Sequence, residues 1–120
     1  MDMQLVLVSV PVADLERAKN FYVKTLGFGV KNDVQVNEAR RVVQLTPPGS
    51  ECSIVFGTGM PRIEMPSGSL RGLHLRVPDI AEARTQLIDR GVEVSPIEDV
   101  DGIKFASFAD PDGNTWALFS

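Results

Sequence analysis

The chain has 120 residues, of which 43% are hydrophobic and 23% charged, the composition of one ordinary globular domain. Its formal net charge of −4 argues against nucleic acids and anionic membrane surfaces as partners, since both select basic patches. No apolar run reaches the roughly 20 residues of a membrane-spanning helix, and the N-terminal stretch lacks the basic start of a signal peptide. A single cysteine, Cys52, allows no internal disulfide. We therefore expect a cytoplasmic protein without nucleic-acid or membrane partners.

The first half of the chain predicts one strand, one helix and three further strands. Residues 5–12 are apolar and β-branched, which is typical of a buried strand. Asp14 can cap the N-terminus of the helix that follows, and Gly27 can end it in the left-handed conformation. The three further strands are predicted at 28–36, 41–45 and 52–56.

The second half repeats this order. Residues 73–77 predict a strand, and Asp79 followed by Glu82 has the pattern of a capping box at a helix N-terminus. Gly91 ends that helix, and residues 92–94 resume extended structure. The last strands are predicted at 103–108 and 115–119, on either side of an Asp-Pro-Asp-Gly turn.

The two halves are therefore one unit written twice. The segment 12–18 recurs as 77–83, and each copy opens a helix. This repetition predicts an α+β fold in a single domain, with two βαβββ repeats that form one curved mixed sheet. We expect the helices on the convex face of that sheet and an open concave cleft on the other.

Boundaries for the two repeats follow from the composition. Module one is expected at about residues 1–57 and module two at about 71–120. Between them, about 58–70, lies a connection rich in Gly, Pro and Ser that shows no periodic element. Its role is not readable from its residues.

The repeated pattern resembles the vicinal oxygen chelate superfamily, which includes glyoxalase I, extradiol dioxygenases, fosfomycin-resistance enzymes and bleomycin-resistance proteins. The segments that carry the resemblance are Val12-Ala13-Asp14-Leu15-Glu16-Arg17-Ala18-Lys19-Asn20-Phe21-Tyr22, Leu26-Gly27-Phe28 and Phe108-Ala109-Asp110-Pro111-Asp112-Gly113-Asn114. The resemblance covers essentially the whole chain. It implies the fold predicted above and a homodimer in which the partner chain helps to complete the cleft.

In the metal-dependent members of that superfamily, inward-facing His and carboxylate side chains on four strands hold one divalent ion. The resemblance places the corresponding positions here at Leu7, Ser53 or Val55, Gly72 and Ala117. None of these residues is a normal metal ligand, because a divalent ion needs several N, O⁻ or S⁻ donors at once. We therefore expect no metal cofactor.

Strand alternation predicts which side chains face the cleft. The ligand-binding candidates are Leu7, Ser9, Ser53, Val55, His74, Arg76, Thr115 and Ala117. His74 is the only histidine and the candidate for a general base, whereas Trp116 is expected to face the helices. Phe105 and Phe108 lie on opposite sides of their strand, and the sequence leaves open which of them faces the cleft.

These observations favour a metal-free small-molecule-binding protein that resembles bleomycin-resistance proteins and holds a hydrophobic or aromatic ligand in the concave cleft. One alternative is an enzyme, a lyase, isomerase or oxygenase, with a His74 acid–base centre or with non-standard metal ligands such as His74 together with Glu38, Glu51 or Glu64. A second alternative is a dimeric accessory module without a ligand. Neither the ligand nor the dimer geometry follows from the sequence.

Overall fold

The computed structural model describes residues 1–60 and 64–120, and the described residues form two βαβββ repeats. In chain order the elements are β1 (Leu7–Ser9), α1 (Leu15–Asn20), a π-helical segment (Phe21–Thr25), β2 (Gly29–Asn37), β3 (Arg40–Thr46), β4 (Ser53–Thr58), β5 (Leu73–Arg76), α2 (Ile80–Asp89), β6 (Glu98–Val100), β7 (Ile103–Ala109) and β8 (Thr115–Phe119). The α+β class and the internal repeat are thus confirmed. No helix in the described part is long and apolar enough to cross a membrane.

The hydrogen bonds divide the strands into two four-stranded sheets, where the sequence predicted one curved sheet. Sheet 1 has the order β1-β4-β3-β2, and sheet 2 has the equivalent order β5-β8-β7-β6. In each sheet the first pair is parallel and the other two are antiparallel. In the described residues, β1 and β5 each pair with one neighbour, so each is an edge strand of its sheet.

The helix starts follow the sequence signals. The carboxylates of Asp14 and Asp79 each accept a hydrogen bond, at 3.1 Å, from the backbone N–H three residues further on. The capping box is only half formed, because the carboxylate of Glu82 accepts from Gln86 Nε2. The predicted helix ends are also present, since Gly27 and Gly91 have φ values of +82° and +88°.

After the second helix, the edge strand begins later than the predicted extended segment. Residues 92–94 form no regular strand; Val92 and Val94 instead pack against the core, and the equivalent edge strand is β6. The predicted connection at 58–70 includes residues 61–63, which lie outside the described part of the chain.

The helix-facing sides of both sheets share one hydrophobic core. Tyr22, in the π-helical segment, is completely buried, and its ring centroid lies 6.2 Å from that of Phe56 in sheet 1 and 5.7 Å from that of Trp116 in sheet 2. Both sheets therefore pack on the same helical layer. The other side of each sheet, which we call its open face, lies on the outside of the chain.

A buried polar cluster links the two modules through this core. The Tyr22 hydroxyl donates to Asp110 Oδ2 at 2.6 Å and accepts from Trp116 Nε1 at 3.0 Å. Asn114 Nδ2 donates to the same Asp110 oxygen at 2.8 Å and to the carbonyl oxygen of Pro11 at 2.9 Å. Burying such groups is tolerable only because each finds a partner. The cluster therefore fixes the last hairpin of module two against the start of module one.

The buried hydroxyl predicts an alkaline signature of folding. Burial raises the pKa of Tyr22 far above its ordinary value of 10, and the neighbouring Asp110 carboxylate raises it further. The hydroxyl ionises near pH 10 in the unfolded chain but stays protonated in the folded one, so stability should fall as the pH rises above 10. Because Tyr22 is the only tyrosine, tyrosinate absorbance should appear only on unfolding. A tyrosinate signal near pH 10 in the folded protein would contradict this.

The matched variant is Tyr22→Phe. Removing the hydroxyl leaves buried Asp110 and Trp116 groups short of a partner, and we expect a loss of about 1–3 kcal/mol in the free energy of unfolding at pH 7. Urea unfolding measured between pH 7 and pH 11 should also show a smaller alkaline loss for the variant than for the original protein.

Candidate functional site

The eight predicted ligand-binding residues fall on the open faces, four on each sheet. In sheet 1 the parallel pairing sets Leu7 beside Ser53 and Ser9 beside Val55. Their neighbours alternate to the other side, where Ile54 enters the core. The eight side chains thus lie on the faces turned away from the core, but the two groups of four belong to different sheets.

On sheet 1, the Ser53 hydroxyl is buried and bonded within the protein, so it is not available to a ligand. Ser53 is only 1% exposed, and its hydroxyl lies 2.7 Å from Thr46 Oγ1. Val55 is buried as well, whereas Leu7 is 42% exposed. This face therefore offers apolar surface at its edge strand and little free hydrogen-bonding capacity at its centre.

On sheet 2, small side chains lie beside larger ones. Ala117 on the central strand β8 lies between His74 of β5 and Ser107 of β7. Thr115, two residues earlier, is opposite Ala109. The middle of this face is therefore shallow, and larger side chains border it on one side.

His74 is held in place by the backbone. Its Nδ1 lies 2.7 Å from the carbonyl oxygen of Gly72. Because a carbonyl can only accept, Nδ1 carries the proton and Nε2 is left for another partner. Thr115 fixes the same loop, since its hydroxyl accepts from the Gly72 N–H at 2.8 Å. Within the described residues, no carboxylate is hydrogen-bonded to His74 to support it as a general base.

Four residues in register form a row across sheet 2. The pairings run Arg76 to Phe119, Phe119 to Phe105, and Phe105 to Glu98, so all four side chains project from the open face. The two phenyl rings are stacked, with centroids 6.3 Å apart and an interplanar angle of 29°. The guanidinium carbon of Arg76 lies 5.4 Å from the centre of the Phe119 ring. We call these four residues the aromatic row.

The imidazole of His74 packs beside this row and contacts both phenyl rings. Its centroid lies 6.0 Å from that of Phe119 and 6.4 Å from that of Phe105, and both contacts are edge-to-face. Both phenylalanines are half-buried, so part of each ring is exposed to solvent. An aromatic surface bordered by shallow, small residues is suited to stacking against a flat ligand.

Only Arg76 of this row was among the predicted ligand-binding residues. Phe119 shares the face of Thr115 and Ala117 by strand alternation, but the side taken by Phe105 depends on the register of β7 against β8. The structure settles it: Phe105 is on the open face and Phe108 is in the core. Glu98 was missed because its segment has no periodic pattern, and only the pairing of β6 with β7 reveals its position.

The residues at the family's metal positions do not fit a metal. Leu7, Gly72 and Ala117 have no side-chain donor, and Ser53 is bonded to a neighbour. Among residues 1–60 and 64–120, no group of three or more His, Cys, Asp or Glu side chains is arranged to hold an ion. The alternative set of His74 with Glu38, Glu51 or Glu64 is therefore not assembled in the described chain.

A separate crevice of about 200 Å³ opens on the helix side of sheet 2. It lies between α2, the turn at Pro47 and Pro48, and the core side chains Leu75 and Leu118. Of the predicted ligand-binding residues, only Arg76 borders it. The guanidinium of Arg90, at the same crevice, already donates to the carbonyl oxygen of Thr25 at 2.7 Å. We therefore place the candidate site on the open face and not in this crevice.

The fold and these positions define the class of the protein. The family model described as Glyoxalase/Bleomycin resistance protein/Dioxygenase superfamily matches residues 4–118. The chain belongs to this superfamily, as its repeated segments suggested.

Among solved structures, the chain is similar to TnmS3, an antibiotic binding protein from Streptomyces sp. CB03234, with 42% identity, a TM-score of 0.87 and coverage of 98% of this chain and 96% of that one. A glyoxalase/bleomycin resistance protein from the same organism is 41% identical, with a TM-score of 0.83 and coverage of 98% and 100%. A superfamily member from Sphaerobacter thermophilus DSM 20745 is 33% identical, with a TM-score of 0.84 and coverage of 98% and 97%. No curated protein matches the chain. These likenesses support small-molecule binding in general.

Proposed function

We propose that this protein binds a hydrophobic or aromatic small molecule on its open faces, without a metal ion and without chemical conversion of the ligand. The observation that carries the proposal is the aromatic row. Stacked phenylalanines that are partly exposed on a sheet surface leave apolar area in contact with water, and a ligand that covers this area gains apolar contact.

The relatives support the same conclusion. TnmS3 is an antibiotic binding protein, and it is 42% identical to this chain over nearly the whole length of both. Binding without conversion is also consistent with the site, because His74 lacks a carboxylate partner among the described residues. Of the residues that the resemblance places at the metal positions, Leu7, Gly72 and Ala117 have no side-chain donor, and the Ser53 hydroxyl is bonded to Thr46. A sequestering protein needs neither a general base nor a metal site.

The open faces further support a homodimer. Leu7 and Val34 are 42% and 49% exposed on sheet 1, and Val100 and Ile103 are 53% and 48% exposed on sheet 2. Apolar residues gathered on an otherwise flat surface mark a place where something else packs. We propose that the open face of sheet 1 in one chain covers that of sheet 2 in a second copy, with the ligand between them.

Ligand binding can be measured with N-phenyl-1-naphthylamine, an uncharged dye that fluoresces in apolar surroundings. We expect saturable binding and a roughly tenfold weaker affinity for Phe119→Ala, because the variant removes apolar contact worth about 1.4 kcal/mol. Ile88→Ala is the control, since Ile88 is an exposed apolar residue of α2 away from the site. Equal affinities for the original protein and both variants would rule out the aromatic row as the binding surface.

Metal content tests the second part of the proposal. After incubation with Zn²⁺, Ni²⁺, Mn²⁺ or Fe²⁺ and desalting, elemental analysis should find far less than one ion per chain. Dye affinity should also be unchanged by a chelator. Retention of one ion per chain would restore the metalloenzyme alternative.

Sedimentation equilibrium tests the dimer. The original protein should have twice the chain mass, and Ile103→Lys should shift the equilibrium toward the single chain, since the charge is buried when the faces meet. Ile88→Lys is the matched control: Ile88 is 43% exposed and Ile103 48%, but Ile88 lies on α2. Identical masses for all three proteins would contradict this arrangement.

A further inference from the structure

We infer that the aromatic row selects a planar aromatic anion and orients it, with the acidic group of the ligand at the β5 edge of sheet 2. This rests on the proposed function and adds the charge and direction of the ligand. It follows from the order of side chains along the row, which is a cation, two aromatic rings and an anion.

The row has the dimensions of a flat ring system. Its four members lie on four adjacent strands, so three strand spacings, roughly 14 Å, separate the two ends. The stacked rings of Phe119 and Phe105 occupy the middle. A ligand of two or three fused rings can therefore cover both phenyl groups and bring its substituents close to the charged ends.

The β5 end attracts negative charge. Arg76 is exposed, and its guanidinium lies over the Phe119 ring. Within the described residues, none of the ion pairs involves Arg76. Its planar group of N–H donors matches a carboxylate, sulfonate or phenolate better than an ammonium group would. His74, two residues before Arg76 on the same face of β5, contributes ring surface at this end through its edge-to-face contact with Phe119.

The β6 end repels negative charge. Glu98 is exposed on the same face, opposite Phe105. Asp99 and Lys104 are opposite each other in the strand register and project from the other side of the sheet. A ligand with its acidic group at this end would lie beside a carboxylate. The chain as a whole carries a net charge of −4, so its overall field does not attract anions. Selection must come from the local arrangement of Arg76 and Glu98.

A pair of dyes with the same rings isolates the charge. 8-Anilinonaphthalene-1-sulfonate is the sulfonated form of N-phenyl-1-naphthylamine, and each can be titrated by fluorescence and by calorimetry. We expect the sulfonate to bind the original protein at least fivefold more tightly than the neutral dye at low salt, with the difference shrinking in 1 M NaCl. Arg76→Gln should abolish the preference, because the affinity for the sulfonate should fall at least fivefold more than the affinity for the neutral dye.

Two variants control for general effects. Arg76→Lys keeps the charge and should retain part of the preference. Lys104→Gln makes the same change of net charge as Arg76→Gln, but Lys104 faces away from the row, so both dye affinities should stay within twofold. A preference that falls equally in Arg76→Gln and Lys104→Gln would overturn the inference, because it would reflect net charge alone.

The direction is tested at the other end of the row. 2,6-Naphthalenedisulfonate carries acidic groups at both ends and should bind the original protein more weakly than 2-naphthalenesulfonate. Glu98→Gln should remove that difference. No gain for the disulfonate in Glu98→Gln would overturn the proposed orientation.

The outcomes separate this inference from the proposed function. Equal binding of the anionic and neutral dyes, unaffected by Arg76→Gln, would overturn the charge selection and leave small-molecule binding intact. If the original protein bound neither dye, both the proposed function and the charge selection would fail.

Discussion

The hydrogen bonds of the Asp110 carboxylate hold the two halves of this protein together. The carboxylate belongs to the last hairpin, where its Oδ1 accepts from the backbone N–H groups of Asp112 and Asn114 and so shapes the turn. Its Oδ2 accepts from Tyr22 in the first module. A buried carboxylate is costly unless it is fully hydrogen-bonded, and these partners come from both repeats. The turn, the helix and the module interface therefore form together.

This constraint determines which faces of the two sheets are exposed. Since Tyr22 packs between Phe56 and Trp116, the two sheets direct their inner sides to one core and leave their open faces outside. A single chain thus leaves apolar residues of both open faces exposed, among them Leu7 on sheet 1 and Ile103 on sheet 2. The stability of the domain and the exposure of its outer sheet surfaces follow from the same arrangement of layers.

Much of the fold follows from short-range rules. The helix caps at Asp14 and Asp79, the left-handed glycines and the alternation that puts His74 and Ala117 on one face all depend on residues close in sequence, and the structure bears them out. The site was less accessible to these rules. The row needs Glu98 opposite Phe105 and Phe105 opposite Phe119, and such pairings are set by the register of strands that the local pattern does not specify.

The sequence by itself determined the repeat, the α+β class and the superfamily, because each depends only on residue identity and spacing. Only the tertiary structure decided that the strands divide into two sheets, that Ser53 is buried against Thr46, and that Arg76, two phenylalanines and Glu98 form one row. The physical reason is that the hydrogen bonds between strands join residues far apart in the chain. Their side chains become neighbours only when the register of those strands is set.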